Sequence, residues 1–524
     1  MGSLLAYAGT LRSPFIGDDY EMLRYADRGW APVRWLTEAG PGGHTRPVAV
    51  ASFWVSHWLG GSDSFGYHLV NALLHGLVAW LVVLVADGLL AQPGRERLRR
   101  RVPLLAGIVF VVSPTHAEAV SWVVCRVDLL VTGCCLLALL CWARARERSG
   151  GWRWAAVGWF VVALGTKESA LTLPLVLVAY DLWLPGIAGR RATLRQGIAA
   201  LAACGALVAA YLLRYSWLNG SFLSDEEAAL GSAGPLLVAR RGLQLVARTV
   251  LPGMNAAIWV LVLAASIVAV LVAVVGARGA ATRADLRAQG STFGFLATAT
   301  VVLVAPVARL GAGAFVPTGG RLSYLPSAFA TIGLVLALAV VVQARAPRRE
   351  LVVAVAGIAV FTLALLAVNA SYGRAGSAVE REVASASGWP QDERQVAVVT
   401  LDSVEGIPAG RNMLAPALEL RRARSGSSGP APFDELFSVD LARSTATVSV
   451  HRGSCPRCIR LHLDDPDSRF IPLPVLDAPR VVELPGGRFT LVDDHTIEIE
   501  PARGSDPATW WMLSDGRLVP VGTP

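Results

Sequence analysis

The sequence predicts a mostly α-helical, polytopic membrane protein of about 10–11 transmembrane helices, with a small β-rich extracytoplasmic domain at its C-terminal end. Of 524 residues, 54% are hydrophobic and 16% are charged, and the mean hydropathy is +0.50; a soluble domain is about 45–50% apolar and about 25% charged. Apolar blocks of about 17–22 residues fill the chain before about residue 370. Shorter, strand-length runs follow. We therefore expect domains at 1–370 and 371–524.

The apolar blocks predict spans and their orientation. The spans are 67–90, 102–114, 123–143, 153–166, 170–186, 196–217, 256–277, 292–308, 322–343 and 351–369. Arg-rich loops at 95–101, 144–153, 189–195, 278–287 and 345–349 alternate with loops that are poorer in Lys and Arg, so the positive-inside rule places these five loops in the cytoplasm. We expect a multi-pass protein of a bacterial inner (plasma) membrane. Its net charge of +8 then reflects orientation and not a nucleic-acid partner.

The N-terminal run MGSLLAYAG is short for a span. It provides ~14 Å of helix against a hydrocarbon core of ~30 Å. The alternation of loops nevertheless requires a first span that ends just before Arg12. We expect this span to be cut short, for example by a misplaced start site.

Polar residues gather at the outer ends of five predicted spans. They are Asp18 and Asp19 in FIGDDY, His116 and Glu118 in SPTHAEAVSW, Arg126 and Asp128 in CRVDLL, Lys167 and Glu168 in GTKES, and Arg321 and Tyr324 in GGRLSYLPS. Each motif has a structural alternative: a solvated loop or cap, the cap of a broken helix, an ion pair between Arg126 and Asp128, a snorkelling Lys167 paired with Glu168, or an interface anchor. Ionisable groups at this depth are costly and usually functional. Because all of these residues are predicted at the outer side of the membrane, we expect them to line one polar chamber.

Such a chamber suits group transfer from a lipid-linked donor. A carboxylate takes the proton of an acceptor hydroxyl, and cations stabilise the phosphate that leaves, while apolar walls hold the lipid. No cofactor is certain, and a divalent metal is left open. A transporter or flippase of lipid-linked sugars and an inactive membrane scaffold are the alternatives. A transporter is expected to carry polar residues near the bilayer midplane in repeated halves, a pattern that the sequence does not show.

The ordered motifs resemble those of a known family. FIGDDY, Thr-Arg-Pro at 45–47, FGYHLVNALLHGLVAWLV, SPTHAEAVSWVVCRVDLL, LGTKESALTLPLVLVAYDL and RLSYLPS are similar to the membrane region of the transmembrane-and-TPR O-mannosyltransferases and their bacterial relatives. These are GT-C polyprenyl-phosphate-sugar glycosyltransferases. The similarity covers about residues 5–370, and no 34-residue TPR period follows it.

The resemblance implies a GT-C fold, inverting sugar transfer at the outer face and a polyprenyl-phosphate-sugar donor. It implies that Asp18 or Asp19 is the catalytic base and that Arg321 lies near the donor phosphate. The implied substrate-binding residues are Arg46, His116, Glu118, Arg126, Asp128, Lys167, Glu168, Arg321 and Tyr324. Expected partners are the lipid-linked donor, membrane lipids and an acceptor, protein or glycan, that the sequence does not identify. The stretch 235–252 is compatible with an amphipathic helix at the outer interface, with Arg240, Arg241 and Arg248 either as contacts for lipid phosphates or as ordinary surface residues.

The polar tail contains six strand-length runs, QVAVVTL, TATVSVH, IRLHL, RVVEL, FTLVD and HTIEIE, and a flexible loop at 422–432. HRGSCPRCIRLH predicts a hairpin in which Cys455 is opposite Cys458 and His451 is opposite His462. About 13 Å of strand separates each His from its Cys, too far for one zinc ion unless the ribbon curls. A disulfide, a zinc site and free thiols remain as alternatives.

Overall fold

A computed structural model describes most of the chain. The described residues are 1–29, 31–32, 37–38, 46–91, 94–146, 151–184, 190–219, 234–249, 289–308, 319–343, 347–387, 395–410, 413–424, 433–472, 480–503 and 509–521. The predicted span 256–277 and the loop 278–287 lie outside these residues, as do most of the loop 422–432 and Thr45.

The chain divides into two compact units. The membrane unit comprises Met1–Leu11 and Gly29–Asn369, and the C-terminal unit comprises Arg12–Arg28 and Ala370–Pro524. Segment 12–28, which contains Asp18 and Asp19, therefore groups with the tail and not with the helices that precede residue 370.

The described part of the membrane unit is helical. Its helices are α1 Gly2–Ala6, α3 Pro47–Gly60, α4 Ser64–Leu89, α5 Glu96–Val112, α6 Ala117–Ser121, α7 Arg126–Arg144, α8 Gly151–Leu164, α9 Leu173–Trp183, α10 Arg190–Asn219, α11 Pro235–Arg248, α12 Gly290–Val304, α13 Tyr324–Gln343 and the first part of α14 Pro347–Ala386; α2 Asp19–Asp27 belongs to the C-terminal unit. Each predicted span that the structure describes coincides with a helix.

Six helical segments in the described residues are long and apolar enough to cross a membrane. They are Ser64–Leu89, Val123–Arg144, Arg195–Leu218, Gly290–Val307, Gly320–Val340 and Ala354–Ala386, and the bent pair Glu96–Val112 and Pro114–Ser121 would be a seventh. Helices α8 and α9 are apolar but shorter. The prediction of a mostly α-helical membrane protein with a β-rich C-terminal region is confirmed.

Local sequence explains where the central helices begin and how closely they pack. The side chain of Asp63 accepts a hydrogen bond from Phe65 N–H and caps α4, as expected for an acidic N-cap. Gly107 allows α5 to approach α4, because a Cβ there would lie 2.4 Å from a methyl group of Val83. The close contact holds α5 against α4 just before the break at Ser113.

The C-terminal unit contains two five-stranded sheets. The strands are β1 Gln395–Val404, β2 Phe433–Leu441, β3 Val448–Arg452, β4 Ile459–Leu463, β5 Arg469–Pro472, β6 Val481–Leu484, β7 Gly487–Asp493, β8 Thr496–Pro501, β9 Trp510–Ser514 and β10 Arg517–Pro520. One sheet has the order β10-β9-β1-β2-β5, in which β1 is parallel to both neighbours. The other sheet, β3-β4-β8-β7-β6, is antiparallel. Helix α15, Leu414–Arg424, connects β1 to β2.

The β3–β4 hairpin contains a disulfide, one of the three alternatives, and its register differs from the predicted one. His451 pairs with Arg460 instead of His462, so the predicted register is wrong. The reason is the turn: Gly453 N–H donates to Cys458 O at 2.7 Å, and Cys458 N–H donates to Cys455 O at 3.0 Å. Both cysteines therefore lie in the turn, where a disulfide joins them, and the disulfide alternative is confirmed.

Candidate active site in the membrane unit

Breaks between helices place the predicted polar residues at helix ends. Between α5 and α7 the chain forms the turn Pro114–His116, helix α6 and the turn Val123–Cys125. The turn Glu168–Thr172 separates α8 from α9, and Gly320–Ser323 precedes α13. Proline at the start of the first turn fits a helix N-terminus because its missing N–H would have no intrahelical partner.

Lys167 pairs with Asp128 and not with its sequence neighbour Glu168. Its Nζ lies 2.6 Å from Oδ1 of Asp128, and the side chains are 10% and 7% exposed. The other carboxylate oxygen, Oδ2 of Asp128, is buried and has no hydrogen-bond partner among the described residues. A carboxylate oxygen in this state can accept a hydrogen bond from a substrate hydroxyl.

Glu168 pairs with Arg46. The Nη2–Oε1 and Nε–Oε2 distances are 2.7 Å and 3.1 Å, which is the two-bond geometry that favours Arg over Lys. Val48 N–H also donates to Gly165 O at 2.9 Å. Gly165 permits this approach because a Cβ there would lie 2.9 Å from Val48. The start of α3 is therefore attached to the end of α8.

Glu118 pairs with Arg321. The backbone N–H of Arg321 donates to Oε2 of Glu118 at 2.9 Å, and its Nε lies 3.7 Å from Oε1. Gly320 makes the approach feasible because a Cβ there would lie 2.3 Å from the carbonyl oxygen of Thr115. The Arg321 guanidinium lies 4.9 Å from the ring centroid of Trp122. Arg321 is 36% exposed in its side chain, whereas Glu118 is 2% exposed.

One carboxylate connects the three ion pairs. Asp128 is bonded to Lys167, and its charge also interacts with Arg46 and Arg321. We call Arg46, Glu118, Asp128, Lys167, Glu168 and Arg321 the charge cluster. Its three cations and three anions come from distant stretches of the chain. Their convergence was predicted, while their roles toward substrate stay predictions.

Arg126 lies beside the charge cluster and is bonded to the protein. Its side chain is fully buried, and its Nε donates to Oδ1 of Asn71 at 2.8 Å. Nη1 donates to Ser56 Oγ and to the Ser52 carbonyl, and Nη2 donates to the Tyr67 carbonyl. These bonds connect α7 to α3 and α4. An architectural role follows from the geometry, and substrate contact by Arg126 stays a prediction.

His116 and Tyr324 belong to a buried aromatic group with His75. Tyr324 OH lies 2.7 Å from Nδ1 of His75, and Nε2 of His75 lies 3.2 Å from Val111 O. Because a carbonyl only accepts, Nε2 of His75 donates and Nδ1 accepts from the tyrosine. His116 similarly contacts Phe110 O through Nδ1 at 2.8 Å and Ser327 Oγ through Nε2 at 2.7 Å. The group joins α4, α5 and α13.

Asp18 and Asp19 differ in exposure. Asp18 is exposed at the start of α2, whereas Asp19 is fully buried. Oδ2 of Asp19 accepts a hydrogen bond from Ile16 N–H at 3.1 Å and so fixes the preceding turn. Within the C-terminal unit, Arg24 of α2 pairs with Glu419 of α15 at 2.8 Å. Sequence adjacency gave no basis for separating the two aspartates.

Sequence reasoning did not assign two polar residues that the structure places in these groups. Asn71 and His75 lie within the apolar helix α4, and a polar residue in an apolar span is the signal that identifies them. Arg248, which the sequence offered as a contact for lipid phosphates or as a surface residue, is 1% exposed at the end of α11, and its charge interacts with Glu118. The described residues contain no group of three or more His, Cys, Asp or Glu that could hold a metal ion.

The helices and the charge cluster define a polytopic membrane protein with a buried site of paired charges. No protein-family model matches the chain. It is 36% identical over 196 residues to protein O-mannosyl-transferase Tmtc1 of Drosophila melanogaster. The matched region covers 35% of this chain and 22% of that protein. For Tmtc2 of the same organism the identity is 35% over 208 residues, and the shares are 36% and 21%.

A third relative, tmtc2 of Xenopus laevis, is 30% identical over 198 residues, with shares of 34% and 23%. The chain thus spans about a fifth of the length of the curated relatives that it matches. These matches confirm the resemblance to the transmembrane-and-TPR O-mannosyltransferases. ArnT from Cupriavidus metallidurans in the apo state covers 79% of this chain and 82% of its own at 13% identity, with a TM-score of 0.44; a similarity this low does not define the fold.

Proposed function

We propose that this chain is a membrane glycosyltransferase that moves a sugar from a polyprenyl-phosphate donor to an acceptor hydroxyl at the outer face of the membrane. The observation that carries the proposal is the charge cluster, in which the buried Asp128 is paired with Lys167 and its charge also interacts with Arg46 and Arg321. The relatives are named protein O-mannosyl-transferases, which agrees with the predicted activity. Mannose and a protein hydroxyl are therefore the first donor and acceptor to test.

The charge cluster suits a reaction in which negative charge increases on phosphate. A sugar linked to polyprenyl phosphate carries one negative charge in its phosphodiester, and the polyprenyl phosphate that leaves carries close to two. Cations in such a site attract the doubly charged leaving phosphate more strongly than the singly charged phosphodiester of the donor. Such differential stabilisation lowers the barrier. We assign Arg321 and Lys167 to the phosphate.

Asp128 has a second role in the proposal. Oδ1 holds Lys167, while the unpartnered Oδ2 accepts a hydrogen bond from a hydroxyl of the bound sugar. A site that hydrogen-bonds a substrate hydroxyl rejects analogues that lack it, because its own buried group is then unpaired. Asp128 therefore contributes to the choice of sugar as well as to the position of Lys167.

We assign the general base to Asp18. Asp18 is the exposed member of the aspartate pair. In inverting transfer the general base takes the proton of the acceptor hydroxyl, the acceptor oxygen attacks the anomeric carbon, and the bond from that carbon to the phosphate oxygen breaks. Asp19 holds the turn before α2 through its bond to Ile16 N–H. It acts as a positioning residue.

The experiment is transfer by the purified chain in proteoliposomes, with radiolabelled polyprenyl-phosphate mannose and a Ser/Thr-rich peptide. Asp18→Asn should lower kcat by at least ~100-fold, as expected for loss of a general base. Asp27→Asn, at the exposed far end of the same helix, is the matched control and should be fully active. Full activity of Asp18→Asn would remove the proposed base. Movement of the labelled lipid across the bilayer without transfer would favour a flippase instead.

A further inference from the structure

The turn between β3 and β4 contains the cysteine pair that the proposed glycosyl transfer does not use. Cys455 and Cys458 are joined by a disulfide across two residues. Cys458 is 6% exposed, whereas Cys455 is partly exposed. Cys455 is therefore the residue of the pair that is more open to an attacking thiolate.

The backbone of the turn does not depend on the disulfide. Gly453 and Cys458 are joined by a backbone hydrogen bond, as are Cys458 and Cys455, and β3 and β4 pair from Arg452 and Ile459 onward. Gly453 is required here because a Cβ would lie 2.4 Å from the Cβ of Cys458. A bond that closes so short a loop also restricts the unfolded chain less than one that closes a long loop. The geometry thus favours a pair that opens and closes within a fixed turn.

Cationic residues flank the cysteine pair in the sequence of the turn and its strands. Arg457 lies between the two cysteines, and Arg452 ends β3; both are exposed. Arg460 is paired with Glu498 at 2.8 Å, and Glu498 also accepts a hydrogen bond from Ser454 N–H at 3.2 Å, so this carboxylate is largely neutralised. Farther along β3 and β4, the rings of His451 and His462 are 6.4 Å apart. Nearby cations lower the pKa of a cysteine and increase its reactivity.

We propose that Cys455–Cys458 is a thiol–disulfide exchange site that accepts electrons from a protein dithiol. A partner thiolate attacks Sγ of Cys455, the bond to Cys458 breaks, and Cys458 leaves as a thiolate that takes a proton. The partner's second thiolate then attacks the partner's first sulfur, which is bonded to Cys455 in the mixed disulfide. Cys455 leaves as a thiolate and takes a proton. The partner dithiol becomes a disulfide, and the cysteine pair becomes a dithiol. This proposal is independent of the proposed sugar transfer.

The first test uses the full chain in nanodiscs. It is equilibrated with mixtures of reduced and oxidised dithiothreitol, quenched, alkylated and analysed by peptide-resolved mass spectrometry, which separates this pair from the buried cysteines of the membrane unit. We expect a reversible two-electron titration, with unchanged hydrogen exchange in Val448–Arg452 and Ile459–Leu463. Reduction that occurs only in denaturant, or that removes protection from these strands, would show a purely structural disulfide and overturn the proposal.

The second test compares the two sulfurs. In Cys458→Ser the Cys455 thiol should react with Ellman's reagent at least tenfold faster than the Cys458 thiol does in Cys455→Ser. Adding Arg457→Gln should slow Cys455 severalfold, whereas the exposed Arg517→Gln in β10 should have no effect. Equal rates for the two thiols would contradict the assignment. The oxidised full chain should also oxidise a Cys-Gly-Cys peptide dithiol, and failure to do so would exclude exchange.

Discussion

The ion pair between Lys167 and Asp128 provides the sharpest test of the charge cluster. At an N–O distance of 2.6 Å and an effective dielectric constant of about 20, the attraction is about 6 kcal/mol. Desolvation of the two ions costs several kcal/mol each and offsets most of this gain. Lys167→Met leaves a buried carboxylate without its partner, so we expect a loss of about 3–5 kcal/mol in the free energy of unfolding. Asp128→Leu should cost a similar amount.

The double variant separates a structural from a functional role. Lys167→Met with Asp128→Leu leaves no buried charge uncompensated, so its stability should lie within about 1 kcal/mol of the unsubstituted protein. Reversible unfolding in mixed SDS micelles measures all four proteins, and the transfer assay is run on the same preparations. If the single losses simply add in the double variant, the two groups are not coupled.

The double variant should regain stability but not transfer activity. Loss of a preformed electrostatic contact to the leaving phosphate typically costs about 100- to 1,000-fold in kcat, and the double variant still lacks Lys167. We therefore expect a stable but nearly inactive protein. A double variant that is both stable and fully active would reduce the pair to a packing element and refute the assignment of Lys167 to the phosphate.

Three further outcomes follow from the structure. Gly320→Ala should lower kcat/KM by about tenfold or more in the transfer assay. A Cβ at this position would lie 2.3 Å from the Thr115 carbonyl oxygen and must displace the turn that holds Arg321. Gly290→Ala is the control, because nothing lies within 4 Å of a Cβ there. Arg126→Lys should lose several kcal/mol in SDS unfolding, because each buried acceptor left unsatisfied costs about 1–3 kcal/mol; wild-type stability would contradict the architectural role. Burial raises the pKa of Glu435 from 4.5 to about 7, so the C-terminal unit should lose up to about 3 kcal/mol as pH rises from 4.5 to 7, at about 1.4 kcal/mol per pH unit. Glu435→Gln should remove this contribution of up to about 3 kcal/mol, measured by hydrogen exchange of β2 after correction for intrinsic rates. A pH profile that the substitution leaves unchanged would show that Glu435 ionises normally.

The sequence predicts the helices well because the membrane imposes a strong signal on composition. Apolar runs such as those of α4 and α7 predict membrane spans directly, and the predicted spans that the structure describes coincide with helices. Helix α3 was not predicted, because its apolar stretch is short and lies in what the loop pattern assigns to an outer loop. Its role is evident only from contacts with distant residues, including the hydrogen bond that Arg126 donates to Ser56 Oγ.

The C-terminal unit was predictable in class but not in topology. Strand-length runs identify β structure, yet the parallel pairing of β1 with β2 and β9 depends on long-range packing that no local pattern records. The β3–β4 register was wrong for a similar reason. With Cys455 opposite Cys458, a tight turn at Pro456 and Arg457 was expected, whereas the backbone bonds of Gly453 and Cys458 determine a wider one.

Adjacency in the sequence does not show which charged residues of the site pair with each other. Arg126 and Asp128 lie two residues apart in the first turn of α7, and positions i and i+2 of a helix point to different sides. Arg126 consequently bonds to α3 and α4, while Asp128 meets Lys167. Lys167 has an extended backbone and Glu168 begins a tight turn, so these neighbours also have different partners. The motif CRVDLL therefore supplies one residue that joins helices and another that joins the charge cluster, and only the fold determines which is which.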